Sequence, residues 1–540
     1  MISDRECGQL RRNDLNHNSL RRDFLKAGVV GAAGSVLSGA TVAAASAQPK
    51  QAREKFDVRT FGATGDGKSL DTPAINKAID AAAANGGGTV IFPAGSYLCY
   101  SLHLKSNVDL YLGPGATIIA ADAPASGRQG YDPPEPNQWD HYQDFGHSHW
   151  HNSLIWGENI HNFSILGPGL IWGRGLSRGS EDTVLPAGVG NKSISLKNCH
   201  NVMLRDFSIL HGGHFGVLAT GVDNLTIDNL LIDTNRDGID VDCCRNVRIS
   251  NCSVNSPWDD AICPKSSFGL GYARLTENVT ITNCYVTGGY QEGTLLDATF
   301  KKLGHDPKDP HNGRIKCGTE SNGGFRNIAI TNCVLECCRG IALESVDGAL
   351  LEDVAISNIT MRDVTDVPFF LRLGARLRGP QGVPVGELRR VLVSNVVVSN
   401  AESKQAALVT GIPGHYIEDV KFQNIYIQHR GGGTKEAAGI SVPEIENVYP
   451  DPDRFGPLPA HGFFIRHVKG LEMRDIEIKP MAADSRPAFA LDDVDGSDFM
   501  HVKVPVNGPS FHLHKVKNFD LMQSRPLADI YLDIVEQKML

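Results

Sequence analysis

Short segments with apolar residues at alternate positions recur along most of the chain. This alternation is the period of a β-strand that buries one face. A polar residue, usually Asn, ends each segment, where its side chain can bond the backbone of a bend and stacked copies can bond one another. The clearest segments begin at Asn201, Asn224, Asn246, Asn278, Asn327, Asp353, Arg390 and Asp419, with weaker ones at Asn162 and Gly470.

The early segments are 23, 22 and 32 residues apart, and the later intervals are longer. Periods of this size with one strand pattern in each unit indicate a solenoid. A leucine-rich repeat would need a Leu-x-x-Leu-x-Leu pattern, and a sandwich would need hairpin turns. The sequence therefore predicts an all-β fold, a single-stranded right-handed parallel β-helix, in which the longer intervals are loops.

The sequence also predicts an N-terminal cap and a long loop near the C-terminal end of the solenoid. A helix from Pro73 to Ala84, stopped by Asn85 and the glycines after it, is predicted to cap the first coil. The Pro- and Asp-rich stretch from Val442 to Gly462 is predicted to be a long ordered loop, after which strand patterns continue to about Val504. The sequence thus predicts one elongated domain.

The N-terminus has the features of a targeting segment. Arg21 and Arg22 precede an apolar run from Ala27 to Ala45, and small residues up to Ala47 form a cleavage pattern. Twin arginines before such a run resemble a bacterial Tat signal, and the run is too poor in Leu for a good permanent membrane span. We therefore predict a signal peptide at 1–47, a catalytic β-helix at 48–540, export by the Tat machinery, and a periplasmic or secreted protein.

Charge and cysteines narrow the function. The net charge of −9 and a charged fraction of 21% give no indication of a nucleic-acid partner. No Cys-x-x-Cys pair is present, which argues against zinc. Four cysteines follow an Asn at the same place in the repeat, which favours a buried stack over disulfides: Cys199, Cys252, Cys284 and Cys333.

Two acidic clusters, one repeat apart, carry the chemistry. Asp237 lies thirteen residues after Asn224, and Asp259 lies thirteen after Asn246. Equal offsets in consecutive coils predict a column with a spacing of about 4.8 Å, which would also include His214 and have Asp240 and Asp260 beside it. Carboxylates this close raise one another's pKa, so one can hold a proton while another activates water, as glycosidic hydrolysis requires. A single Asp here would be an ordinary turn residue; three in register favour function.

With these motifs the chain resembles glycoside hydrolase family 28, the polygalacturonases and rhamnogalacturonan hydrolases. The matching residues are Asp237-Gly238-Ile239-Asp240, Asp259-Asp260, Lys265-Ser266 and the stretch Phe61–Gly67, and the resemblance covers about 56–430. It implies an inverting hydrolase that needs no cofactor or metal. It further implies that Asp259 is the catalytic acid and that Asp237 and Asp260 activate water.

The chain departs from the family pattern at two places. The family's Gly-His-Gly is absent, and Tyr290, after Gly288-Gly289, is a candidate replacement for its histidine. At the usual position of Arg-Ile-Lys the chain has Ala342-Leu343-Glu344, while a literal Arg314-Ile315-Lys316 occurs about one coil earlier. The resulting candidate substrate-binding residues are Asp240, Lys265, Tyr290, Lys316, Glu320 and Glu344, with Arg339 also able to remodel the sugar site.

The stretch from Asp140 to Trp156 is rich in histidine and aromatic residues. A metal site is conceivable there, but we expect these side chains to line a sugar site and to close one end of the groove. A closed end favours action on chain ends. The histidines and aromatics concerned are His141, Tyr142, His147, His149, Trp150 and His151.

The substrate expectation follows from charge. The cations Lys265, Arg314, Lys316 and Arg339 suit a uronate, so we expect hydrolysis at the non-reducing end of galacturonate-containing pectic oligo- or polysaccharides. Two alternatives stay open. One is a polysaccharide lyase, in which Asp237, Asp240 and Asp242 would bind calcium; the other is a non-catalytic carbohydrate-binding β-helix.

Overall fold

The computed structural model describes residues 54–125, 129–144, 146–179, 185–302, 311–402, 406–506 and 508–540, with only the backbone at 291 and 292. The predicted signal peptide at 1–47 lies outside these ranges. Among the described residues, no helix is both long and apolar enough to cross a membrane.

The described chain begins with a cap and a first set of short strands. The α-helix α1 spans Thr72–Ala84, as the sequence predicted, and buries Ile75, Ala78, Ile79 and Ala82 against the first coils. The strands of this half are β1 Lys55–Asp57, β2 Asp66–Leu70, β3 Gly88–Phe92, β4 Gly95–Cys99, β5 Leu102–His103, β6 Val108–Leu112, β7 Ala116–Ala120, β8 Ile155–Glu158, β9 His161–Leu166, β10 Leu170–Trp172, β11 Lys192–Lys197, β12 His200–Arg205, β13 Ser208–Leu210, β14 Phe215–Thr220, β15 Asp223–Asp228, β16 Leu231–Asp233, β17 Asp237–Asp242, β18 Arg245–Ser250 and β19 Ser253–Asn255.

The second half continues the same winding, with longer strands toward the C-terminus. These strands are β20 Ile262–Lys265, β21 Thr276–Thr282, β22 Tyr285–Thr287, β23 Tyr290–Glu292, β24 Lys301–Lys302, β25 Ile315–Cys317, β26 Phe325–Thr331, β27 Val334–Glu336, β28 Ile341–Ser345, β29 Leu350–Arg362, β30 Phe369–Leu373, β31 Glu387–Ala401, β32 Ala407–Thr410, β33 Ile417–His429, β34 Phe463–Pro480, β35 Phe489–Met500, β36 Phe511–Met522 and β37 Ile530–Met539. The strand pattern thus extends beyond the predicted limit near Val504, and β37 closes the end by pairing antiparallel to β36.

The fold is a right-handed parallel β-helix, as predicted. Strands three positions apart pair in parallel, so each coil adds one strand to each face: β14 pairs with β17, β15 with β18, and β16 with β19. One face, which we call sheet A, consists of β8, β11, β14, β17, β20, β25, β28, β30 and β32 and continues into the first residues of β34, β35 and β36.

The repeated Asn explains why the coil bends at the same place each turn. Asn201, Asn224 and Asn246 have φ of 56–57°, in the left-handed region that Asn tolerates better than most residues. Each side chain also bonds the copy in the preceding coil: Asn224 Nδ2 donates to Asn201 Oδ1 at 2.9 Å, and Asn246 Nδ2 to Asn224 Oδ1 at 3.1 Å. Stacked residues also fill the interior, among them Cys199, Cys252, Cys284 and Cys333, and the eleven described cysteines are all buried and free.

Two long loops lie on the outer surface of sheet A. Loop 1 joins β7 to β8 (residues 121–154, described except 126–128 and 145), and loop 2 joins β33 to β34 (residues 430–462). Loop 2 includes two short 3-10 turns, Glu436–Gly439 and Pro452–Phe455. It joins two strands of the same β-helix, so the stretch Val442–Gly462 lies in a loop of the solenoid.

Candidate active site

The structure brings three of the predicted acids together at one point of sheet A. Asp237 is the first residue of β17, whereas Asp259 and Asp260 lie in the turn before β20. Carboxylate oxygens of all three lie within 4.8 Å of one another. Asp237 and Asp260 are buried, while the side chain of Asp259 is 20% exposed. Asp259 is thus the member of the cluster that faces solvent.

The predicted column is wrong by one residue. Asp237 pairs with Phe215 rather than His214, and Asp260, not Asp259, follows Asp237, because Gly238 N–H donates to Asp260 O at 3.0 Å. The β16–β19 register has an offset of 22 residues, but the β17–β20 register has an offset of 23. The turn before β20 therefore contains one extra residue.

This extra residue lets two consecutive acids serve one site. Adjacent strand residues face opposite ways, but the turn is bent. The Ser256 hydroxyl donates to Asp259 O at 3.0 Å, and Trp258 N–H donates to Asn235 O at 3.1 Å. Asp260 N–H in turn lies 3.1 Å from Asp259 Oδ1. The bend therefore presents both carboxylates on the outer side of sheet A.

The electrostatic environment differentiates two of the acids. Burial raises the pKa of Asp237 well above its usual value, and the carboxylates of Asp240 and Asp259 raise it further. Burial would also raise the pKa of Asp260, but the cations of Lys316 and Arg314 outweigh it and hold that pKa well below its usual range. The cluster therefore sets a carboxyl whose pKa is raised beside one whose pKa is lowered.

The predicted substrate-binding cations neutralise buried acids. Lys316 contacts Asp260 Oδ2, and Arg314 Nε donates to Asp260 Oδ1 at 2.8 Å. Lys265 Nζ lies 3.2 Å from Glu320 and 3.7 Å from Asp240. These six side chains are at most 4% exposed. The three cations are thus already paired with protein carboxylates beneath the exposed acid, and a role for Lys265 or Lys316 in substrate binding stays a prediction.

Arg339 and Tyr290 also lie apart from the predicted roles. The Arg339 guanidinium bonds Asp366, Asp451 and Asp453 at 2.9–3.0 Å, which ties it to loop 2. The Tyr290 hydroxyl lies 2.9 Å from the Tyr285 hydroxyl, and both face Glu336. Tyr290 therefore does not take a histidine's place at the acid cluster, because its position on β23 turns the ring toward β22 and β27.

Arg236 is a site residue that the sequence analysis missed. Its Nη2 atom lies 2.8 Å from Asp259 Oδ2, and both side chains are 20% exposed. Its position directly before Asp237 was the available signal. Because Lys265, Arg314, Lys316 and Arg339 are occupied by protein carboxylates, Arg236 is a cation that remains near the solvent-facing acid.

Loop 1 covers sheet A on the N-terminal side of the acids. Trp150 is fully buried against Phe215 and Leu218 of β14, and its indole N–H donates to the Thr220 hydroxyl at 3.0 Å. The sequence analysis expected Trp150 to line a sugar site, but its side chain instead fills a small apolar core between loop 1 and β14. His147, from the same loop, reaches the cluster, where its Nε2 atom lies 3.6 Å from Asp240.

Loop 2 covers sheet A on the C-terminal side. Its apolar residues Phe455, Leu458 and Ala460 form a buried cluster with the outward side chains of β28, β30, β32 and β34, which include Ala342 and Phe370. Arg372 of β30 donates to Glu444 O at 2.9 Å and to Ile445 O at 3.1 Å. The acid cluster thus lies between two stretches of sheet A that are covered by loops, and the space between them is called the pocket below.

The buried carboxyl of Glu344 tests how strongly burial and the neighbouring cations act on acids in this part of the structure. It is fully buried beside Arg314, at 3.8 Å, and burial raises its pKa to about 7 against the partly opposing charges of Lys316 and Arg314. The folded chain then binds more protons than the unfolded chain between pH 4.5 and 7, so its stability falls as pH rises through this range.

We expect Glu344→Gln to remove that loss, because the amide stays neutral. The free energy of unfolding of the variant should exceed that of the parent by up to about 3 kcal/mol at pH 8 and should lose this advantage at pH 4. Chemical denaturation at both pH values measures it. The matched control Glu472→Gln, on the exposed face of β34, should give curves that do not diverge with pH.

Comparisons with known proteins show which family the chain resembles. A family model described as rhamnogalacturonase A/epimerase, pectate lyase-like, matches residues 55–288. A probable polygalacturonase of Vitis vinifera is 23% identical over 331 residues, covering 56% of this chain and 60% of that protein. An exo-poly-alpha-D-galacturonosidase of Dickeya chrysanthemi is 25% identical over 251 residues, covering 38% of this chain and 41% of that protein.

Solved structures support the fold. The family 28 exopolygalacturonase of Yersinia enterocolitica superposes with a TM-score of 0.59 at 19% identity, covering 84% of this chain and 79% of that one. The chain spans less than two thirds of the length of the two curated relatives above. The resemblance predicted from the acidic motifs is confirmed.

Proposed function

We propose that this relative of the polygalacturonase-like glycoside hydrolases cleaves glycosidic bonds in galacturonate-containing poly- or oligosaccharides, and that it acts from the chain end. The observation that carries the proposal is the convergence of Asp237, Asp259 and Asp260 within 4.8 Å, with Asp259 partly exposed and Asp260 paired with two buried cations. Paired carboxylates can supply the acid and the base of hydrolysis.

The roles follow from exposure and charge. Asp259 faces the pocket and is placed to protonate the leaving oxygen. Asp260, kept ionised by Lys316 and Arg314, is the base that accepts a proton from the attacking water, with Asp237 as the second group that orients this water. The carboxylates lie closer than the roughly 6.5–9.5 Å usual in inverting enzymes, so the water must be held beside them rather than between them.

Arg236 supports a uronate substrate. It pairs with Asp259 at the pocket and is partly exposed, so a substrate carboxylate can compete for its guanidinium. A uronate carboxylate that pairs with Arg236 lies beside Asp259, the acid that faces solvent, and this contact would position the substrate at the cluster.

Action at the chain end rests on the two loops. Loop 1 covers β14 through Trp150, and loop 2 covers the outward side chains from Ala342 onward. A long polymer cannot run along a face covered on both sides of the acids, whereas a chain terminus can enter the pocket. The proposed site of action is outside the cytoplasm, after export directed by residues 1–47 with twin arginines at Arg21 and Arg22.

The lyase alternative is less well supported. Of the three acids proposed to bind calcium, Asp242 already accepts from Ser267 N–H at 2.7 Å and from the Ser267 hydroxyl at 2.6 Å. Its carboxylate is therefore occupied, and fewer oxygens remain than the six to eight that calcium takes.

Product analysis on long homogalacturonan and on rhamnogalacturonan oligosaccharides tests the proposal. We expect one small saturated product from the first time points, almost unchanged viscosity of the polymer, and turnover unaffected by a chelator, because paired carboxylates need no metal. A rapid fall in viscosity with mixed oligomers would exclude action at the chain end. An ultraviolet-absorbing unsaturated product, or a calcium requirement, would replace the hydrolase by a lyase.

A further inference from the structure

A second group of potential ligands lies directly beside the acid cluster. It consists of His147 from loop 1 and of Asp237 and Asp240 from β17, whose ligand atoms all lie within 4.8 Å of one another. The His147 side chain is 3% exposed, and Asp237 and Asp240 are 2% and 0% exposed. Three convergent ligands in a buried position form the protein part of an open metal site.

Several buried polar atoms of this group have no hydrogen-bond partner in the described part of the chain. The ring of His147 contacts Asp144 O through Nδ1 at 3.1 Å, which fixes the proton of the neutral ring on Nδ1. The lone pair of Nε2 then faces Asp240 Oδ2 at 3.6 Å. Within the described residues, Nε2 and both carboxylate oxygens of Asp240 have no hydrogen-bond partner.

This arrangement matches the way proteins hold zinc. Metal-binding histidines usually donate their other ring N–H to a backbone carbonyl or carboxylate, as Nδ1 does here. Zinc bonds of ~2.0–2.1 Å in a tetrahedron separate the ligand atoms by about 3.3 Å, close to the 3.6 Å between Nε2 and Oδ2. One nitrogen and two carboxylates suit zinc better than calcium, which takes six to eight oxygens.

We infer that His147, Asp237 and Asp240 form a binding site for a zinc-type divalent cation, and that the bound cation inhibits hydrolysis. The inhibition rests on the proposed function, whereas binding does not. The cation would ligate Asp237, one of the groups that orient water.

The charges around the site are compatible with a cation. Lys265 Nζ is the opposing charge, 3.7 Å from Asp240, but it also pairs with Glu320 at 3.2 Å. Glu320 lies 4.0 Å from His147 Nε2 and also binds Arg378 at 2.8 Å. Glu320 thus offsets Lys265, and the carboxylates of Asp237 and Asp240 remain for the cation.

Calorimetric titration of the full chain with Zn²⁺ tests binding. We expect the parent protein to bind one equivalent more than His147→Gln, or to bind that equivalent at least about tenfold more tightly. Asp240→Asn should lose the same equivalent and serves as the second variant if His147→Gln does not fold. The control His149→Gln, in the same loop but paired with Asp140 at 3.1 Å, should titrate like the parent.

Two further experiments test cation binding separately from the proposed hydrolysis. Asp259→Asn should bind Zn²⁺ normally, because Asp259 is not a ligand, so binding is tested even if no hydrolysis is found. In turnover assays Zn²⁺ should inhibit the parent at least about tenfold more strongly than His147→Gln. Equal titrations of the parent and both ligand variants would overturn the site, and tight binding without inhibition would overturn its effect on hydrolysis.

Discussion

We expect Asp259→Asn to lower kcat by about a thousandfold, because an amide cannot deliver the proton that the leaving oxygen requires. KM should change little, since the amide keeps the shape of the side chain. The free energy of unfolding should also change little, because the side chain is one-fifth exposed and its pair with Arg236 is partly solvated. Turnover on a galacturonate oligosaccharide and chemical denaturation measure the two effects.

Asp223→Asn is the matched control for this prediction. Asp223 begins β15 on a different face of the same coils, its side chain is 41% exposed, and it also pairs with an arginine, Arg274. This control should keep near-normal turnover. Near-normal turnover in Asp259→Asn itself would remove Asp259 from the role of acid.

The second large effect concerns the cation that holds Asp260 ionised. We expect Lys316→Met to lower the free energy of unfolding by about 3 kcal/mol at pH 7, because removal of one partner strands a buried charge. Arg314 Nε still lies 2.8 Å from Asp260 Oδ1, and this remaining cation keeps the loss at the lower end of the roughly 3–5 kcal/mol that breaking a buried ion pair costs. Chemical denaturation at several pH values gives the measurement.

The pH dependence of this loss has a definite sign. In the parent the pKa of Asp260 is held below its usual value, so the stability from the pair is present above about pH 3.8 and is lost as pH falls toward the lowered pKa. The difference between parent and Lys316→Met should therefore shrink in acid.

Two variants test this prediction. In the double variant Lys316→Met/Asp260→Asn, the neutral amide needs no cation, so a large part of the lost stability should return. The control Lys421→Met breaks an exposed pair with Glu472 and should cost at most about 1 kcal/mol. Losses in the double variant equal to the sum of the single ones would contradict the pairing.

The scaffold could be predicted from the sequence because each coil repeats the same physical solution. Alternating apolar residues fill the interior, and an Asn such as Asn224 accepts the left-handed bend and bonds its neighbour. The same repetition revealed the acids. It did not reveal their register, since one extra residue in the turn before β20 shifts Asp260 into the place predicted for Asp259.

The surroundings of the acids were less predictable, because they depend on contacts between distant segments. From the sequence alone, Lys316 and Lys265 are typical substrate-binding cations. In the structure Lys316 is buried against Asp260 and Lys265 against Glu320, each at least 55 residues away in the chain. Loop 1 and loop 2 are separated by more than 270 residues and cover the same sheet from opposite sides. The local composition of the two loops does not indicate which strands of sheet A they pack against.

The most direct test of the central claim is the reaction in H₂¹⁸O followed by mass spectrometry. Hydrolysis at the Asp237, Asp259 and Asp260 cluster predicts two saturated products per cleavage. The product with the newly formed reducing end carries one oxygen-18, the other keeps the glycosidic oxygen and stays unlabelled, and the signal is lost in Asp259→Asn. Unlabelled products that carry a double bond, or substrate that stays uncleaved with the active parent protein, would contradict the account.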